Sequence, residues 1–233
     1  MKRFYKAAEA RAAPSGGWEI ALDGRTVKTP ARQPLILPSR TLAEAVAAEW
    51  NEQGEEIDPR SMPFTGFANA AIDRIAPEPD VFAGSLAAYG ETDLLCYRAE
   101  GPDNLVAAQG SVWDPVLAWA RRRFDADFEI VSGIIHRAQP EFTLRQLRHA
   151  TLAHDAFALA GLAPLVTISG SLILALALSE GAANVDEAWA AAIVAERFQA
   201  ERWGEDAEAA VVLEARHREF AAGYAFLQLL RSE

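Results

Sequence analysis

Apolar and polar positions change their rhythm along this chain, from strand-like near the start to helical afterwards. Trp18-Glu-Ile-Ala-Leu22 runs into Asp23-Gly24 and then Arg25-Thr-Val-Lys28. Asp-Gly between two such runs is the strongest short-range hairpin signal. Thr29-Pro30 ends the second strand. Pro34 and Pro38 bracket Leu35-Ile36-Leu37, which reads as a short final strand because proline suits only strand ends and edges. Ser39 then caps a helix from Arg40 to Gln53, with Leu42, Val46, Glu49 and Trp50 at helical spacing and Gly54 as its stop. Ile57 to Pro63 is an irregular link, and a further helix is predicted from Phe64 to Ile75. Pro77-Glu-Pro-Asp80 is punctuation and marks a domain boundary.

From there helical periodicity dominates. One helix spans Val81 to Tyr89. Asp93 to Arg98 fits a strand or a helical turn. Asp103 to Phe124 holds one or two helices, Pro115 limiting the first. Phe128 to Ser132 is a second β-like run that would pair with Leu94 to Tyr97. Thr143 is expected to cap a helix to Leu159, which Gly161 and Pro164 separate from an apolar helix ending at Leu178. The next opens at Asn184, and the last runs from Asp206 to about Arg231, with Leu213, Phe220, Tyr224 and Leu227 on its stripe and His217 at the edge. The expected fold class is α+β. A small N-terminal sheet-plus-helix domain over residues 1–78 precedes a larger all-α helical bundle domain over 79–233.

The stretch Ala195-Glu-Arg-Phe-Gln-Ala-Glu-Arg-Trp-Gly-Glu-Asp206 is the most unusual. On one continuous helix from Asn184, Ile193, Glu196, Ala200 and Trp203 fall within roughly 40° of Trp189. Glu196 then sits in an apolar stripe between two indoles, while Val194 and Phe198 face the other way. Three readings are open for Glu196: a core carboxylate paired with an arginine, a binding residue, or a catalytic acid. Gly204 ends the helix and Asp206 can cap the next.

Composition narrows the function. The 233 residues suffice for a substantial core, and the net charge of -11 with pI near 4.9 argues against nucleic acid or an anionic membrane as partner. The single cysteine, Cys96, lies in an apolar run and is read as a buried hydrophobe. Leu162 to Leu178 is interrupted by Pro164, Thr167, Ser169, Gly170 and Ser171, so no membrane insertion is expected. The first residues lack the apolar core of a secretory signal, although Arg11-Ala-Ala13 leaves a transit-peptide reading open. There is no dinucleotide or Walker fingerprint, no nucleophile elbow and no His-x-x-x-His pair. Neither a cofactor nor a metal is expected. Glu91 and Asp93 are read as solvated loop acids.

Several motifs come in a characteristic order: RFYK (Arg3 to Lys6), LDGRTVKTP (Leu22 to Pro30), LAEAVAAEW (Leu42 to Trp50), MPFTGFANAAID (Met62 to Asp73), TDLLCYR (Thr92 to Arg98), Trp113-Asp114-Pro115, GSLILALAL (Gly170 to Leu178) and ERFQAERWGED (Glu196 to Asp206). Over nearly its whole length the chain resembles the ATP synthase assembly chaperones specific for the α subunit of the soluble catalytic sector. The resemblance implies a non-enzymatic protein with an N-terminal α+β domain and a C-terminal helical domain. It would bind the free α subunit and shield its subunit interface until β replaces it. It also implies that Glu196 is the functionally sensitive acid of the penultimate helix, with Gln199, Trp203 and Asp206 completing the motif and Phe198 joining the partner-binding set. A bacterial, cytoplasmic monomer is the expected form. The competing expectation is a small-molecule enzyme with an interdomain acidic site built from Glu91, Asp93, Glu196 and His217. A third is an interaction module with an unrelated partner.

Overall fold

The computed structural model describes residues 1–133, 135–204 and 206–232. The chain divides into two compact units. The first comprises Met1–Pro79 together with Asp155–Gly161 and Ala225–Glu233, and the second Asp80–His154 with Leu162–Tyr224. The first unit thus draws on two later segments besides the N-terminal stretch.

The first unit is built on four antiparallel strands, β1 (Ala8–Ala12), β2 (Trp18–Leu22), β3 (Arg25–Thr26) and β4 (Ile36–Leu37), with β2 paired to the other three. The Asp-Gly hairpin forms as expected: Asp23 and Gly24 both take positive φ, 48° and 81°, as a twist-matched two-residue turn demands. Asp23 also accepts backbone N–H bonds from Lys6 and Ala7. Strand β1 was not expected. Its sequence, AEARA, has too little side-chain contrast to show a period of two.

Helix α1 (Arg40–Asn51) starts where expected, with Ser39 Oγ accepting from Leu42 N at 3.2 Å. Asn51 at its end exchanges two 2.8 Å bonds with the backbone of Ala8, which ties the helix to β1. The core contains Ile20, Leu35, Leu37, Leu42 and Ile75, all buried. Helix α2 (Pro63–Ala70) passes into a wider π-type turn over Ala71–Ile75. Its first turn is held by Glu49 of α1, which accepts from Phe64 N, Thr65 N and Thr65 Oγ1 at 2.7–2.8 Å. Burial raises the Glu49 carboxyl above its ordinary value.

The second unit is mostly helical: α3 (Pro79–Ala87), α4 (Asp103–Phe124), α5 (Glu141–Leu152), α6 (Ala156–Ser169), α7 (Leu172–Ser179), α8 (Val185–Ala192), α9 (Val194–Trp203) and α10 (Ala207–Arg231). Of these, α3, α6 and α10 extend past the residues assigned to the unit. Every residue of α7 is buried, as a helix apolar on all sides requires. The unit is not purely helical. Strands β5 (Tyr97–Arg98) and β6 (Val131–Ser132) form a short parallel pair, close to the pairing expected from the sequence.

Several helix limits differ from expectation. Pro115 lies inside α4 and does not end it. Gly161 and Pro164 lie inside α6, while the breaks fall at Ala153–Asp155 and at Gly170. Thr143 is not a cap; it is buried, and its hydroxyl donates to Asp127 O at 2.5 Å. For Pro115, Gly161 and Pro164, packing overrides the local preference of the breaker.

Candidate functional site

Helix α8 begins with a full capping box: Asn184 accepts from Glu187 N, and the Glu187 carboxylate takes Asn184 N. It stops at Ile193, whose backbone (φ -110°, ψ 17°) leaves the helical region, and α9 starts afresh. The continuous helix assumed from sequence is therefore two. Ile193 and Val194 are consecutive β-branched residues with weak helix preference, and Ile193 turns its side chain into the core. Trp189 packs with α10, its ring stacked on His217 at 4.8 Å and tilted against buried Phe220 at 5.5 Å. Trp203 stands 71% exposed. Glu196 is consequently not held between two indoles.

Along α9, Glu196, Gln199 and Trp203 occupy positions i, i+3 and i+7 of one face, and all three are exposed. The Glu196 side chain is 47% exposed, and its nearest cation is Arg216 of α10 at 3.8 Å, a long contact of little energetic worth. Arg216 is anchored elsewhere, donating to Ile168 O at 3.0 Å. Gly204 turns the chain with φ 92°, and Asp206 caps α10 by accepting from Glu208 N at 2.8 Å and Ala209 N at 3.2 Å. Glu205, within the same motif, lies outside the described residues.

Glu196 and Asp206 come together on one groove of ≈ 460 Å³ between α9 and α10. Ala200, Ala209, Val212 and Leu213 make it apolar, and Glu208 and Arg216 add charge. Phe198 lies apart, in a depression against Ala108, Ser111 and Val112 of α4. The sequence reading missed Val211 and Val212, which are 71% and 58% exposed. Their signal was present: both lie off the Leu213–Phe220–Tyr224 stripe, whose Phe220 is buried. Adjacent exposed valines on α10 and an exposed indole on α9 are large apolar groups left in water, as side chains at interaction sites are.

The four candidates for an acidic active site lie in separate settings, all within the second unit. Asp93 does not face water. Its carboxylate is fully buried, accepts from Leu95 N, Ser171 Oγ and Ile173 N at 2.7–3.1 Å, and is pushed up to about 6 by burial against those bonds. It joins the turn before β5 to the start of α7. Glu91 lies 3.3 Å from His136, His217 is stacked on Trp189, and Glu196 faces Arg216. Cys96 is buried, and its thiol is pushed up to about 12 by loss of solvent. Arg98 reaches Asp114 Oδ1 at 2.5 Å and lies over the Trp113 ring, so these motif residues also serve the fold. Among the described residues, no cluster of three His, Cys, Asp or Glu is arranged to hold a metal, and no helix is long and apolar enough to cross a membrane.

A family profile described as ATP12 chaperone protein matches residues 2–121. The chain belongs to the ATP12 chaperone family. That is the family of ATP synthase assembly chaperones which the order of motifs resembles. The chain is 26% identical over 216 residues to "Protein atp12, mitochondrial" of Schizosaccharomyces pombe, covering 88% of this chain and 74% of that protein. It superposes on Atp12 from Paracoccus denitrificans with TM-score 0.93 and 42% identity, covering 99% and 98% of the two chains. A candidate chaperone from Agrobacterium tumefaciens superposes with TM-score 0.94 at 40% identity, covering 98% of this chain and 86% of that one. The α+β architecture with a larger helical part is thus shared with ATP12 structures.

Proposed function

We infer that this ATP12-family chain is a non-enzymatic assembly chaperone that binds the free α subunit of the ATP synthase catalytic sector. It shields the subunit interface of α until β replaces it. The binding face comprises Glu196, Gln199, Trp203 and Asp206 on α9 and the turn after it, with Phe198 bordering the adjoining depression. The observation that carries this reading is the indole of Trp203, exposed on the same helix face as an unburied Glu196 and followed by exposed Val211 and Val212. A structural carboxylate and a structural tryptophan would be covered, as Asp93 and Trp113 are. The groove is apolar with a mainly acidic rim, which suits a basic and apolar surface on the partner. Relatives from Paracoccus and Agrobacterium favour a bacterial, cytoplasmic form. The short strands β3 and β4 and the acidic composition favour a monomer.

The test is Glu196→Lys. Its thermal unfolding should match wild type within about 0.5 kcal/mol, because the replaced group is exposed and weakly paired. Capture of purified α subunit in a pull-down should be lost. Undiminished capture by a folded variant would remove Glu196 from the site.

A further inference from the structure

A second surface, in the first unit, has the opposite charge. RFYK, the hairpin and the end of α1 meet around a cleft of ≈ 540 Å³ lined by Phe4, Tyr5, Val27 and Trp50, with Arg25 and Lys28 among its charged groups. The aromatic rings form a ladder, Phe4 to Tyr5 at 5.4 Å and Tyr5 to Trp50 at 5.6 Å, each edge to face. Phe4 is 67% exposed although its backbone is held. Arg3 N donates to Glu55 O at 2.8 Å, Lys6 N donates to Asp23, and Tyr5 Oη donates to Trp50 O at 2.6 Å. The exposed ring is thus presented on an anchored segment.

The charge of the cleft runs against that of the chain. Lys2, Lys6 and Lys28 are all the lysines of a protein whose net charge is -11. Among the described residues neither Arg25 nor Lys28 is in an ion pair. Asp23, the acid in the lining, is already engaged by the N–H groups of Lys6 and Ala7. Trp50 Nε1 is buried and has no acceptor among the described residues. Two unpaired cations beside an aromatic wall call for an anionic acceptor joined to an apolar group.

We propose that this cleft is a second client-holding site, which takes a carboxylate-bearing segment of the captured polypeptide with an apolar side chain laid against Phe4 and Trp50. The proposal rests on the reading that the α subunit is the client. It adds a contact of opposite charge preference to the acidic groove of α9 and α10, so the client is gripped through both basic and acidic segments.

The experiment uses the full chain and purified α subunit. Arg25→Glu/Lys28→Glu, both exposed positions, should keep the wild-type melting curve and weaken α capture about tenfold, with a shallower salt dependence. A photo-crosslinker at position 4 should join an acidic segment of α. A folded double variant with wild-type affinity, or crosslinks that join two copies of this chain, would overturn the cleft as a client site. Failure of the wild-type chain to capture α would overturn the underlying reading, and the cleft proposal with it. Loss of capture in Glu196→Lys alone, with the double variant unaffected, would leave that reading standing and remove only the cleft.

Discussion

Asp93 and Trp203 are placed against the ordinary preferences of their side chains. Asp93 is an acid sealed inside the helical unit, and Trp203 is an indole left in water. The burial of Asp93 raises its folded-state value to about 6, against an unfolded value near 3.8. Between those two pH values the folded state binds the extra proton, so the contribution of this group is most favourable below about pH 4. It falls as pH rises to about 6 and is flat above. The size is on the order of 2–3 kcal/mol. Asp93→Asn should abolish this component, so the stability difference between variant and wild type should shift by that amount from pH 4 to pH 7 in urea titrations. Equal pH profiles would show that the carboxylate titrates normally. For Trp203 the expectation is reversed. Trp203→Ala should leave stability within about 0.5 kcal/mol yet cost about 2 kcal/mol or more in binding to α by calorimetry, as interface aromatics do.

At the scale of elements, the break at Ile193 and the turn at Gly204 set the direction of α9. One side of that helix rests by Phe198 on α4, and the other opens with α10 onto the groove bearing Glu196. Gly204 has φ 92° and ψ 160°, a region essentially reserved for glycine, and open space surrounds its missing Cβ. Gly204→Ala therefore tests backbone strain without a clash. It should cost about 1–3 kcal/mol in denaturant titrations and weaken α capture in proportion as α9 re-orients. Retention of both would show that the turn is indifferent to its residue.

At the scale of the whole molecule, the first unit is completed by segments distant in sequence. Phe226 packs against Phe64 at 6.3 Å and Phe67 at 5.5 Å, and the hydroxyls of Ser39 and Thr41 donate to Leu229 O. Gly161 is close enough to Leu227 that a Cβ there would meet its side chain at 3.0 Å. A fragment of residues 1–79 lacks these partners. It should give no cooperative thermal transition, and a sharp, wild-type-like melt of that fragment would show that the N-terminal stretch is self-sufficient. The boundary near residue 78 is accordingly proposed as a boundary in chain order, with the closing segments supplied later.

The features legible in the sequence were those that short-range chemistry decides. The Asp23-Gly24 turn needs positive φ, Ser39, Asn184 and Asp206 cap whatever helix follows them, and an uninterrupted apolar run such as Leu172–Leu178 has to be buried. Tertiary structure alone decided where long helices continue or stop. Pro115 and Pro164 are carried inside helices, while Ile193, with no breaker, ends one. It also decided which carboxylate is enclosed and which is free, and so separated Asp93 from Glu196. The difference has one physical cause: turns and caps are settled by neighbours in sequence, whereas burial and helix continuity depend on groups that only folding brings near.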